Sequence, residues 1–307
     1  FIRGYDKYNT DKNDATTTRW KLADIYHSEL TIVNRPSISP NETLEEISNT
    51  EAAYRKNNDY EGFKSKSLSG GKNVGSRKKI VLVGSNAGML HAFDTTDGEE
   101  LWAFIPPNMI PRLKDMRSDI ANTSNSISGV DGSPVVKAIY YDNGGGTKEW
   151  RTIAIVGMGP GGSGYFALDI TNTEKPSHLF TFENNPVDRI VTFWNANGDP
   201  YEFSYKQGQS ITDYDYSNLG NAYSNPYILR MGINGNDKWV AVFGAGFNNA
   251  ANPNYGSAVF VMDLENEGKL LKKIDISDLS NSSGNIINSV PSDLTVITAN
   301  GTDKANY

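Results

Sequence analysis

The sequence predicts an all-β fold of the propeller type, holding about three blades and the start of a fourth, with helical and loop insertions between strands. Three observations predict it. Short runs of Val, Ile, Phe and Tyr bounded by Gly, Asn, Asp and Pro dominate from residue 80 onward, the pattern of strands and turns. A unit of four such runs recurs at spacings of roughly seventy to ninety residues, as expected of blades that carry insertions. The 307 residues also exceed what one core organises unless the fold is a barrel or a ring.

Each unit opens on a Ser/Pro corner and a first strand: Ser28–Val33, Ser133–Ala138 and Ser224–Leu229, with a fourth beginning near Val290 and Pro291. A second strand ends in glycine, at Gly84, Gly157 and Gly244. A third ends in aspartate, at Asp94, Asp169 and Asp263, and a fourth follows a turn, at Glu100–Phe104, His178–Phe182 and Leu270–Ile274. Gly84 and Gly88 read as the glycines of a tight hairpin. Asp94 is placed to accept hydrogen bonds from the amides of the Thr95–Gly98 turn. Trp102 is spaced to dock on the next blade; the other two units keep the aspartate and lose the tryptophan, so Trp102 reads as scaffold.

Insertions interrupt the units at about 34–79, 106–128 and 184–222. In the first, Ser39, Pro40 and Glu42 read as N-cap, N1 and N3 of a helix running to about Lys56, and Lys64–Lys79 as a polar flexible loop. In the second, Ile110, Leu113 and Met116 share one face of a short helix over Asn108–Met116. The third is rich in Asn, Asp and Tyr, and the exposed tyrosines and asparagines of 184–227 are expected to form a contact surface. The chain opens on Phe1 without a leader and closes at Tyr307 in mid-pattern, so it reads as part of a longer protein whose N-terminal region and ring closure lie elsewhere.

Composition excludes several functions. With 29 Lys+Arg against 36 Asp+Glu the net charge is −7, which offers no basic face for a nucleic-acid backbone. No apolar run is long enough for a membrane helix. Without cysteine there is no disulfide, thiol nucleophile or cysteine-held metal, and three scattered histidines leave little room for a triad or metal cluster. Gly157–Gly164 lacks the Lys-Ser/Thr ending of a phosphate-binding loop and precedes a strand, so it reads as a hairpin. Asp213 and Asp215, flanked by tyrosines, read as part of a binding loop or blade edge rather than as an acid–base pair.

The pattern Ala92-x-Asp94…Gly98…Trp102 resembles quinoprotein-type propeller blades. A narrower resemblance comes from six motifs in fixed order: Trp20–Ser28, Gly88–Asp94, Val130–Pro134, Trp150–Thr152, Gly157–Thr171 and Phe243–Asn248. Together they resemble the C-terminal β-propeller of the PilC/PilY family of type IV pilus tip adhesins. The resemblance implies a non-enzymatic, exported protein that passes through the periplasm to the pilus tip and cell surface. There it would work with minor pilins in pilus assembly and twitching motility, and attach to a host or abiotic surface. Two alternatives use the same scaffold: a quinoprotein-type dehydrogenase and an outer-membrane assembly scaffold. The first commonly carries a vicinal disulfide, which this cysteine-free chain cannot form, so no quinone is expected.

The resemblance also implies calcium, through a loop with oxygen ligands at positions 1, 3, 5 and 9. The matching residues are Thr298, Asn300, Thr302 and Asn306, all neutral. Calcium takes about six to eight oxygens, several from carboxylates, so weak binding or none is expected there. Asn9, Asp11, Asn13 and Thr17 repeat the spacing with Asp6 and Asp14 nearby, and form either a calcium loop or a solvated polar turn. Asn195, Asn197 and Asp199 repeat it once more, but Phe203 and Lys206 hold the later positions.

Overall fold

The computed structural model describes residues 22–37, 51–116, 127–142, 144–207, 209–233, 235–248, 255–276, 289–297 and 304–306. They build three antiparallel sheets that follow one another as propeller blades. The first is β1 (Thr31–Val33), β2 (Ile80–Ser85), β3 (Met89–Asp94) and β4 (Glu100–Phe104), paired in chain order. The second runs β5 (Val135–Tyr141), β6 (Glu149–Gly157), β7 (Gly164–Asp169) and β8 (Ser177–Asn185), and is widened by β9 (Ile190–Trp194) and β10 (Pro200–Ser204). After β11 (Tyr227–Ile233) and β12 (Asn236–Gly244) the chain makes β13 (Gly246–Phe247), then β14 (Ala258–Asp263) and β15 (Lys269–Asp275). β13 leaves the third sheet to pair with β16 (Ser289–Val290), and β17 (Lys304–Asn306) runs parallel to β11.

Among the described residues three apolar cores are buried, two of them between the first three blades. Leu82, Leu90, Ala92, Ala154, Val156, Phe166 and Leu168 are buried between the first and second. Ile153, Ile155, Tyr165, Phe182, Tyr216, Phe243 and Phe260 are buried between the second and third. Alternate residues of β6 thus face opposite neighbours, which is why Ile153–Val156 reads as an unbroken apolar run.

Strand register explains the repeated glycines. A Cβ on Gly157 would lie 2.6 Å from Ala222 O, the backbone of the next blade's corner. A Cβ on Gly84 would come closer still to Val130 O, and one on Gly244 to Val290 O. Gly84 therefore serves the seam between blades and not its hairpin; Gly88, at φ 79°, makes that turn. Register also corrects the corner. Thr31 pairs with Leu82, Val135 with Ile155 and Tyr227 with Val242, so Ser28 and Ser224 are equivalent to Gly132, not to Ser133. Ser28 and Ser224 accept the N–H of Gly84 and Gly244, at 2.8 and 3.0 Å, whereas a Cβ on Gly132 would strike Gly157 O.

Each strand-ending aspartate does two things. One oxygen accepts the amide two residues on, from Thr96, Thr171 and Glu265 at 2.9, 2.8 and 3.0 Å. The other meets a cation from the preceding strand or its approach: Lys78 at 2.8 Å, Arg151 at 2.6 Å and Lys238 at 2.5 Å. The amide and Nζ of Thr96 and Lys78 hold the Asp94 carboxyl down at about 2, the lysine contributing most. Trp102 docks on the second blade as its spacing predicts, donating Nε1–H to Thr173 O at 2.8 Å.

The first insertion leaves the sheet between β1 and β2, the second follows β4, and the third adds β9 and β10 to the edge of the second sheet beyond β8. In the first, α1 (Glu51–Asn57) and α2 (Tyr60–Ser65) pack Tyr54 and Tyr60 edge-on to Trp150, with Tyr54 also against Trp239. The predicted N-cap residues Ser39, Pro40 and Glu42 lie outside the described residues. Lys64–Lys79 is not the polar flexible loop the sequence suggests: Val74 is wholly buried and Asn73 and Ser76 close a capping box. In the second insertion, Pro111 imposes a 3-10 turn over Pro107–Arg112 before α3 (Leu113–Met116). The shorter repeat buries Met109 and exposes Ile110, contrary to the predicted helical face.

Candidate functional site

The blade corners gather the polar residues that seal neighbouring blades. His27 donates its backbone N–H to Asp131 Oδ1 at 2.9 Å, and its ring Nδ1 sits 2.6 Å from Oδ2. Glu29 N–H donates to Ser133 Oγ at 3.0 Å and the Thr31 hydroxyl to Pro134 O at 2.7 Å. The next such seam repeats the logic, with Asn225 N–H on Asp293 Oδ1 at 2.7 Å and the Ser224 hydroxyl on Ser292 O at 2.9 Å. The fourth corner is therefore Ser292–Asp293, just beyond the Val290–Pro291 that the sequence suggests.

A row of partly exposed rings crosses these corners. All three contacts are edge-on: Tyr26 to His27 at 4.2 Å, His27 to Tyr223 at 6.1 Å, and Tyr223 to Phe247 at 6.4 Å. Tyr26 is 76% exposed and Phe247 41%. Asp131, buried at 1%, fixes the ring of His27, half of whose side chain is open to solvent. Exposed aromatic rings are among the side chains that anchor binding interfaces. Sequence reasoning missed this row because its members come from three separate segments and none sits in a motif of its own.

The candidates read from the sequence fare differently. Asn9, Asp11, Asn13 and Thr17 lie outside the described residues, as do Thr298, Asn300 and Thr302; Asn306 ends β17, with its backbone beside Gly232. Among the described residues no three His, Asp or Glu side chains group as metal ligands. Asn195 is taken up by its own turn: Oδ1 accepts the amides of Asn197 and Asp199, each at 3.0 Å. Asp213 pairs with Lys269 at 3.0 Å and Asp215 with Lys273 at 2.6 Å, so the two acids are held apart by separate lysines. Gly157–Gly164 is a hairpin between β6 and β7, and Arg112 from the second insertion clamps it by donating to Gly161 O.

Two tyrosines of the expected contact surface over 184–227, Tyr214 and Tyr216, are interior instead. Tyr216 is fully buried, stacks on Phe182 at 4.0 Å and donates its hydroxyl to Gly268 O at 2.7 Å. Tyr214 is 4% exposed, while Tyr205 and Tyr223 are half-buried and Tyr201 and Tyr227 point outward. A wedge between twisted blades needs long flat side chains, and tyrosine fills it while its hydroxyl finds a carbonyl.

A Ser–His–Glu relay also forms, which the scattered histidines did not suggest. Ser85 Oγ is 3.0 Å from His91 Nε2, and His91 Nδ1 is 2.7 Å from Glu100 Oε1. The connectivity is that of a hydrolytic triad. Ser85 and His91 have no exposed surface, however, so a substrate carbonyl cannot reach Oγ. The relay ties β2, β3 and β4 together.

Comparison with known proteins follows from these features. A family model described as the PilY1 beta-propeller domain matches residues 61–295. The chain is 29% identical over 255 residues to the type IV pilus biogenesis factor PilY1 of Pseudomonas aeruginosa UCBPP-PA14, covering 83% of this chain and 17% of that protein. It is 30% identical over 199 residues to a PilY1 homolog of Xylella fastidiosa Temecula1, covering 64% of this chain and 11% of that one. A crystal structure of the Pseudomonas aeruginosa PilY1 C-terminal domain is similar over 68% of this chain and 32% of its own, at 27% identity and a TM-score of 0.42. The chain thus spans less than a fifth of the length of the curated relatives it matches.

Proposed function

Because this chain belongs to the PilY1 β-propeller family, we propose that it is the binding scaffold of a type IV pilus biogenesis factor. The observation that carries the reading is the match over residues 61–295 together with relatives named for pilus biogenesis. In this reading the protein is exported, sits at the pilus tip with minor pilins, supports assembly and twitching, and holds a surface or host ligand without chemistry of its own. The row Tyr26, His27, Tyr223 and Phe247 supports it by offering exposed aromatic area at the blade corners. Calcium belongs to the same proposal, at Asn9, Asp11, Asn13 and Thr17 rather than at the neutral Thr298–Asn306 loop. No described helix is long and apolar enough to cross a membrane.

Fractionation tests the location. Pili sheared from cells should carry the full-length protein, and a strain lacking the major pilin should lose it from that fraction. Equal amounts in the sheared fraction with and without pilin would overturn the reading.

A further inference from the structure

The seams between blades repeat, so one can be laid on the next. In the first, Trp102 on β4, opposite Ala92, reaches across to Thr173 O in the β7–β8 turn. In the second, register puts Phe180, opposite Ala167, at the same position. Counted from the strand-ending aspartate, Glu267 takes the place of Thr173, and its carbonyl receives only a 3.5 Å approach from the Tyr214 hydroxyl. Phenylalanine is smaller than tryptophan and has no N–H to give. A cavity of about 510 Å³ opens beside it, with Tyr141, His178, Phe180 and Leu264 among its walls.

The cavity is short of positive charge. Asp142, Asp169, Glu265 and Glu267 all line it, and its one lining cation, Arg151, is already engaged by Asp169 at 2.6 Å and by Glu149. Lys148 stands at the rim, 4.0 Å from Glu265 Oε2. Glu265 Oε1 accepts the Trp239 amide at 2.8 Å, and burial still pushes its carboxyl above the usual range.

We propose that this groove receives an arginine side chain from a partner protein, its guanidinium lying in the cavity beside Phe180, whose own ring fills the seam against Gly268. A guanidinium is flat like the indole, stacks on aromatic faces and carries several N–H donors in a rigid fork. It can serve the Glu267 carbonyl and the Glu265 carboxylate together, while its apolar stem lies along Leu264. A lysine would bring charge without the flat shape, and a tryptophan the shape without charge.

The test is a ligand-observed NMR titration of the full-length protein with three capped tripeptides, Gly-Arg-Gly, Gly-Lys-Gly and Gly-Trp-Gly. The arginine peptide is expected to bind at least about tenfold tighter than either other. Glu265→Gln, which keeps an acceptor for the Trp239 amide, should weaken it about tenfold, and Phe180→Trp, which restores the first seam's residue, should abolish it. Equal binding of the lysine or tryptophan peptide, no binding at millimolar concentration, or undiminished binding by Glu265→Gln would overturn the proposal. If Phe180→Trp fails to fold, Glu265→Gln decides.

Discussion

Gly157→Ala isolates the reason for the repeated glycines. The added Cβ would meet Ala222 O at 2.6 Å and Tyr165 Cε1 at 2.9 Å, both well inside ordinary contact. Neither neighbour can give easily. Ala222 belongs to the next blade's corner, where its carbonyl accepts the Gly159 amide at 3.0 Å. Tyr165 is fully buried and anchored by its hydroxyl on Ser224 O at 2.7 Å. Overpacking of this kind costs about 1–3 kcal/mol, and a backbone obstacle argues for the upper half. The lost chain entropy of glycine returns only about 0.4–1 kcal/mol. The net is destabilisation of roughly 2 kcal/mol, a fall of about 3 °C in melting temperature for a chain of this length. Gly145→Ala is the control, since its Cβ would meet nothing within 4 Å and its φ is not positive; it should be neutral or slightly stabilising. Calorimetry of the two variants checks this, and an equal, small effect at both positions would refute the seam argument.

Asp94→Asn should remove stability that the wild type has above pH 4. Because the Asp94 carboxyl is held down at about 2, its contribution is complete above its unfolded value near 4 and is lost as pH falls through 2. The melting difference between the two proteins should therefore shrink over that window, and a constant difference from pH 6 to pH 2 would contradict it. Tyr216→Phe leaves the buried Gly268 carbonyl without its donor and should cost about 1–3 kcal/mol by urea unfolding. In calorimetric titration with calcium, heat that disappears in Asp11→Ala is the expected result; heat unaffected by that change would move the ion elsewhere.

The repeat was legible because its glycines and aspartates are demanded by geometry that recurs at every seam. The cations that complete it were visible too: Lys78, Arg151 and Lys238 each stand two residues before the residue paired with the aspartate. In sequence, however, a lone basic residue at a strand's edge is indistinguishable from an ordinary solvent-facing one. The serine corner slipped by one because Ser133 follows Gly132, and only strand pairing shows which faces the ladder. The hairpin of β9 and β10 was hidden inside a polar stretch, although Ile190–Trp194 alternates as a strand should. Tyr214 and Tyr216 were misread because sequence shows a hydroxyl, while burial depends on which carbonyl a neighbouring blade supplies. Contacts between segments, the aromatic row above all, leave no local trace.

The central claim, that this propeller serves pilus biogenesis, is tested most directly by deleting the gene in its host and counting surface pili by electron microscopy. Loss of pili, restored by the wild-type protein but not by a Gly157→Val variant whose blade seam is broken, is the predicted result. A deletion strain with normal pili would contradict it.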